Sequence, residues 1–150
     1  LDLAVQWLLE ERVPHCLVVA AEELDWLSSE ALQLFSGRRI AAEGAAAVCL
    51  KLGTPDEGIR LEQLTDAFLM SSRQHRAAAA PRPGMLPSQI LHQEPGVSVG
   101  RWLGDGFGVA AGWQSVVACE LLRRGAADSA VVSAVGCSQQ AIGAVFGTDS

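Results

Sequence analysis

Three groupings in this chain have residue types and spacing that could do chemistry. The first is Gly104-x-Gly106-x-Gly108 ahead of an apolar helical stretch. Glycines let the backbone turn tightly, and free amides at a helix N-terminus can cradle a phosphate. A dinucleotide fingerprint would need glycine where Val109 stands and an acid at the end of the next strand, where Gly136 and Cys137 sit. A turn that lets helix and strand pack closely is therefore the stronger reading. The second is Cys137, past a strand end where nucleophiles are often presented. No histidine lies near it in sequence to activate it, so a structural thiol is expected. The third is a basic run: between positions 67 and 101, Arg73, Arg76, Arg82 and Arg101 face the single acid Glu94. Such a patch could receive a phosphate or an acidic partner, or could be a solvated loop.

Other reactive types are scattered. Cys16, Cys49, Cys119 and Cys137 form no C-x-x-C pair and fall inside or at the ends of apolar segments. That spacing suits neither zinc nor a disulfide framework, so buried free thiols in a reducing, cytoplasmic compartment are expected, with no metal and no cofactor. His15 and Cys16 abut a strand start, where capping or packing is the simplest role. Glu43 precedes a strand and is a candidate for a structural hydrogen bond. Trp7 and Trp113 sit on apolar helices as expected core residues.

The elements that would position these groups follow from pattern and breakers. Residues 3–12 read as a helix stopped before Pro14, and 16–21 as a buried strand. Residues 25–35 are helical, with Leu27, Ala31, Leu34 and Phe35 on one face and Gly37 ending it. Residues 45–52 read as a strand closed by the turn signal Gly53-Thr54-Pro55-Asp56, and 59–68 alternate as another. Residues 71–100 hold four of the six prolines, Pro81, Pro83, Pro87 and Pro95, and read as a linker or surface excursion with helix only at 73–80. It divides the chain into parts at 1–70 and 101–150. In the second part a helix apolar on nearly every side, expected to be covered all round, leads into two β-branched strands.

A repeat links the two parts. Sliding the chain by 113 positions sets Leu8, Leu9, Val18, Val19 and Ala21 on Leu121, Leu122, Val131, Val132 and Ala134. Each copy continues into a further strand, AAAVCLKL or AIGAVFG, so the repeated unit is helix, strand, strand.

Composition bounds the rest. At 150 residues the chain suits one domain. A hydrophobic fraction of 49% with 19% charged residues excludes disorder and predicts unusually complete burial. No apolar run approaches the roughly 20 residues of a membrane span, and the first residues lack a signal peptide's basic leader and cleavage site. A net charge of −6 argues against nucleic acid or an anionic membrane as the main partner. The chain opens without Met, within a helical pattern, which predicts a missing upstream part.

Repeated helix-strand-strand units with a buried helix in each resemble the thiolase-like condensing enzymes. CLVVAAEELDWLSSEALQLFS followed by AAEGAAAVCLKL resembles the strand, helix and "EGA" strand that follow the nucleophile helix of β-ketoacyl-acyl-carrier-protein synthases. GDGFGVAAGWQSVVACELLRRG resembles their glycine-rich turn and second buried helix, and SAVGCSQQAIGAVFG their closing hairpin. The resemblance covers residues 1–52 and 101–147. It implies an α/β fold with a thiolase-like layered α-β-α core of mixed sheets, incomplete at its N-terminus. Residues 1–70 and 101–150 would be the C-terminal portions of the two halves.

The family's chemistry uses a cysteine at the first buried helix and two histidines, or a histidine and an asparagine, that stabilise the enolate and oxyanion. This chain departs from each point. The cysteine would precede Leu1. The histidine loop expected in mid-chain has no match, with His92 the nearest by position. Where the second histidine should open the glycine-rich turn stands Asp105, which cannot donate to an oxyanion when ionised. Asp105, Gly106, Phe107, Gly136 and Cys137 occupy positions of the family's active-site loops, and no catalytic set is assembled from them. The resemblance therefore leans towards the chain-length-factor branch, which lacks a nucleophile and pairs with an active synthase. It implies an acyl carrier protein and a ketosynthase partner, or self-association, with Arg73, Arg76, Arg82 and Arg101 as possible carrier or phosphate contacts. The alternatives are the C-terminal piece of an active synthase and an unrelated α/β small-molecule binding module.

Overall fold

A computed structural model of the chain describes residues 1–36, 40–53, 58–65, 68–69, 99–135 and 140–148. The fold is mixed α/β. Its elements run α1 (Asp2–Leu9), β1 (His15–Glu22), α2 (Trp26–Ser36), β2 (Gly44–Lys51), β3 (Ile59–Leu64), β4 (Phe68–Leu69), α3 (Val99–Leu103), a 3-10 turn (Phe107–Val109), α4 (Ala110–Arg123), β5 (Ser129–Val135) and β6 (Gln140–Thr148). Every pairing between these strands is antiparallel, where mixed sheets were expected. The parallel contact among the described residues is an isolated bridge, Ala41 with Asp105.

The chain divides into two units, Leu1–Leu52 with Val97–Val117, and Gly53–Gly96 with Ala118–Ser150. These do not coincide with a division at residues 70 and 100, because β3 pairs with β6 across it. Residues 71–98, with His92 and the arginines 73, 76 and 82, lie outside the described residues.

In the first unit β1 and β2 pair without a register shift from His15 opposite Lys51 to Glu22 opposite Gly44. Both strands alternate between exposed and half-buried residues, so 16–21 is not a buried strand. Alternation means one covered face and one open one. On the covered face Gly112 of α4 approaches the strands: a Cβ there would come within 2.9 Å of the Ala46 Cβ and 3.3 Å of the Ala20 Cβ. Helix α2 is preceded by Asp25, whose Oδ1 accepts the Ser28 amide at 2.6 Å, a side-chain cap. Of the face expected to pack, Leu27 and Leu34 are exposed and Ala31 is half-buried; Trp26 is exposed as well.

In the second unit β6 is the central strand, with β5 on one side and β3 and β4 on the other. Ala144, Val145 and Phe146 are buried there. The run expected as one strand over 59–68 breaks at Thr65. Its Oγ1 accepts the Gly143 amide at 2.8 Å, and its own amide donates to the Gly143 carbonyl at 2.9 Å, ending β3 before β4 resumes on β6.

The repeat is present, one residue out of the expected register. Helix α1 closes with Glu11 N–H donating to the Leu8 carbonyl and Arg12 N–H to that of Trp7, Glu11 taking a left-handed φ of 55°. Helix α4 closes likewise, with Gly125 N–H on Leu122, Ala126 N–H on Leu121 and a φ of 64° at Gly125. Both are Schellman closures, which ends the first helix short of Arg12. The matching pairs are Ala4 with Ala118 and Leu8 with Leu122, all four buried, an offset of 114 positions. The gapless match at 113 counted identities, whereas packing aligns the positions that face inward. Each closure leads into an antiparallel pair, β1 with β2 and β5 with β6.

Burial is less complete than the composition predicts. Trp7 is 38% exposed, and Leu17, Val19, Ile40 and Trp102 are exposed as well. Helix α4 buries Ser115, Ala118 and Leu122, yet Val116 and Arg123 face solvent, so it is not covered all round. Among the described residues no helix is long and apolar enough to cross a membrane.

The Asp25 cap titrates. The Ser28 amide holds the Asp25 carboxyl below its ordinary value of 3.8, so the charged form is favoured in the folded state. Its contribution is present above that value and is lost as pH falls through the lowered one. Helical circular dichroism should therefore fall as the pH drops below that ordinary value. Asp25→Asn, which keeps an acceptor oxygen without a titrating proton, should flatten that part of the profile.

Candidate functional site

The candidate site is the turn from Gly104 to Val109, which holds the expected site residues Asp105, Gly106 and Phe107. Two backbone bonds fix its start: Asp105 N–H donates to the Ile40 carbonyl at 2.7 Å, and Ala42 N–H to the Asp105 carbonyl at 3.0 Å. Gly104 must be glycine for this approach. Its φ is +91°, and a Cβ would stand 2.7 Å from the Ile40 carbonyl oxygen. A side chain there would be strained by conformation and by contact.

Past the bridge the chain turns sharply, and Phe107 adopts a φ of 44°. Asp105 Oδ1 accepts the Phe107 amide at 3.3 Å, closing an Asx turn over that position. Gly108 N–H donates to Glu22 Oε2 at 3.1 Å, from the end of β1. Val109 N–H donates to the Gly106 carbonyl at 2.8 Å, and Ala110 N–H to that of Phe107. The four amides from 107 to 110 are thus all engaged within the chain. A phosphate cradle needs such amides free, and here carboxylates of Glu22 and Asp105 already supply negative charge beside the start of α4. This geometry agrees with the close-packing reading of the glycine turn over the phosphate-cradle one.

Close packing is what the glycines serve. The Trp113 ring lies over Gly44 of β2, where a Cβ would come within 2.8 Å, and over Gly106, where a Cβ would overlap the ring and approach Val109 Cγ1 at 2.7 Å. Trp113 is half-buried in this clasp, while Trp7, expected in the core, is partly exposed. Glu43 makes its expected structural bond, Oε2 accepting the Leu24 amide at 3.3 Å.

The reactive types stay apart. Cys16 and Cys119 are half-buried, Cys49 is exposed, and all three are free, so one expected buried thiol lies at the surface. Burial pushes the Cys119 thiol up, with the Arg123 guanidinium pulling weakly the other way, which disfavours the thiolate. His15 is exposed in β1 opposite Lys51, a ladder residue and not a cap. Among the described residues no group of three or more His, Cys, Asp or Glu could hold a metal. Gly136 and Cys137 lie outside the described residues, as does the Arg101 side chain. Glu22 is the contributor that sequence reasoning missed. The alternation of β1 was the available signal, since it sets Glu22 on the same face as Val18 and Ala20.

The chain matches no protein-family model, no curated protein and no solved structure.

Two substitutions test the turn. Gly106→Ala drives a methyl into Trp113 and Val109 and should cost about 1–3 kcal/mol in urea denaturation. Glu22→Ala leaves the Gly108 amide without its carboxylate and should cost about 1 kcal/mol. Gly125→Ala, with nothing within 4 Å of its added Cβ, should show the smaller backbone penalty alone.

Proposed function

We propose that the chain is a ketosynthase-like protein of fatty-acid or polyketide assembly, noncatalytic alone and acting with an active synthase and an acyl carrier protein. The observation that carries this reading is the duplicated unit. Twice, a helix with an inward Ala and Leu four residues apart ends in a Schellman closure and leads into an antiparallel strand pair. A thiolase-like layered core is built from two such halves, and it is the finer fold we assign to this α/β chain.

The state of Asp105 supports the noncatalytic part. At the position where the resemblance sets a histidine, both backbone polar groups are tied to residues 40–42 and the carboxylate to Phe107. A carboxylate at this point repels a developing enolate where an imidazole would donate to it. No cysteine of the described residues has a histidine partner to raise its nucleophilicity. The role left to such a chain is to shape the cavity of a partner synthase, and the arginines 73, 76, 82 and 101 would meet the acidic carrier.

The test uses malonyl-loaded carrier protein. The chain alone should release no carbon dioxide above the buffer rate, and adding it to an active synthase should change the length of the product. Carrier binding should weaken about tenfold when the four arginines become alanine. Decarboxylation by the chain alone, or no effect on a synthase together with no carrier binding, would overturn the proposal.

A further inference from the structure

We propose that the open face of the β1–β2 pair docks a second copy of the same chain, face to face, about a twofold axis that crosses the strands at Val19 and Ala47. This rests on the sheet itself and not on the ketosynthase reading.

The exposed residues of the pair form one continuous face. Along β1 they are His15, Leu17, Val19 and Ala21, and opposite them on β2 stand Lys51, Cys49, Ala47 and Ala45. Leu17 is 63% and Val19 59% exposed, although the cross-strand rows they belong to contain no charge. An apolar sheet face of this kind calls for a second layer. The exposed alternation runs one residue past each strand, to Glu23 and Glu43. The face therefore has a basic end, an apolar middle and an acidic end.

That gradient selects the occupant and its orientation. A twofold axis across the strands reverses strand direction, laying β1 on β1 and β2 on β2. It sets Lys51 of one copy against Glu43 of the other, and His15 against Glu23. Side-chain size is complementary in the same arrangement. Leu17 meets Ala21, Cys49 meets Ala45, and Val19 meets its own equivalent at the axis, so the larger residues of one copy fall on the smaller ones of the other. An axis parallel to the strands would instead bring His15 onto Lys51 and Glu23 onto Glu43. An isologous interface needs a self-complementary patch, and this face has that property in charge and in size.

Light scattering on the chain over a concentration series tests the proposal, with circular dichroism to check folding. A dimer is expected at about 100 μM, and Val19→Asp, which sets two carboxylates together at the axis, should raise its dissociation constant at least about tenfold. His15→Glu should weaken the dimer, and His15→Glu combined with Glu23→Lys should restore it. A monomer at about 100 μM would overturn the proposal. So would a dimer indifferent to Val19→Asp, or a different protein occupying this face.

Discussion

The first unit depends on the close approach of α4 to the β1–β2 pair. That approach exists because Gly44, Gly106 and Gly112 have no Cβ where Trp113, Val109, Ala46 and Ala20 pack. Interiors tolerate neither overlap nor void, so the indole fills the space that these glycines leave. The position of the turn follows. With α4 held against the strands, Gly108 lies within reach of Glu22, and Asp105 bridges to residues 40–42. The glycines that suggest a ligand loop in the sequence are accounted for by packing.

That reading explains why a glycine-rich turn before a helix carries no free anion site. A turn of this kind satisfies its amides with a ligand or with its own side chains. Here Asp105 and Glu22 do the latter, each from a carboxylate that also favours the positive end of α4. The same residues would have to leave before an oxyanion could be held.

Much of this was legible in the sequence. Strand β2, helix α2 and the helix-strand-strand repeat were read from a closing turn signal, an apolar face ended by glycine and matched aliphatic positions. The register of the repeat was not, because the leucines at 8–9 and 121–122 match twice at an offset of 113 and once at 114, whereas the buried pairs Ala4 with Ala118 and Leu8 with Leu122 set it at 114. The split of 59–68 was hidden because it depends on Thr65 bonding Gly143, a partner 78 positions away. Glu22 was missed for a similar reason: its acceptor role appears only when residue 108 is brought beside residue 22. Exposed apolar residues such as Leu17 and Leu27 were misjudged because composition gives the amount of apolar surface and not where it lies.

The measurement that bears most directly on this account is the state of the turn amides in solution, read residue by residue by nuclear magnetic resonance. If the turn is closed by its own carboxylates, the amides of Phe107, Gly108 and Val109 should be protected from hydrogen exchange and should not shift when inorganic phosphate or a malonyl thioester is added. Rapid exchange at all three, with saturable shifts on adding either anion, would contradict the account.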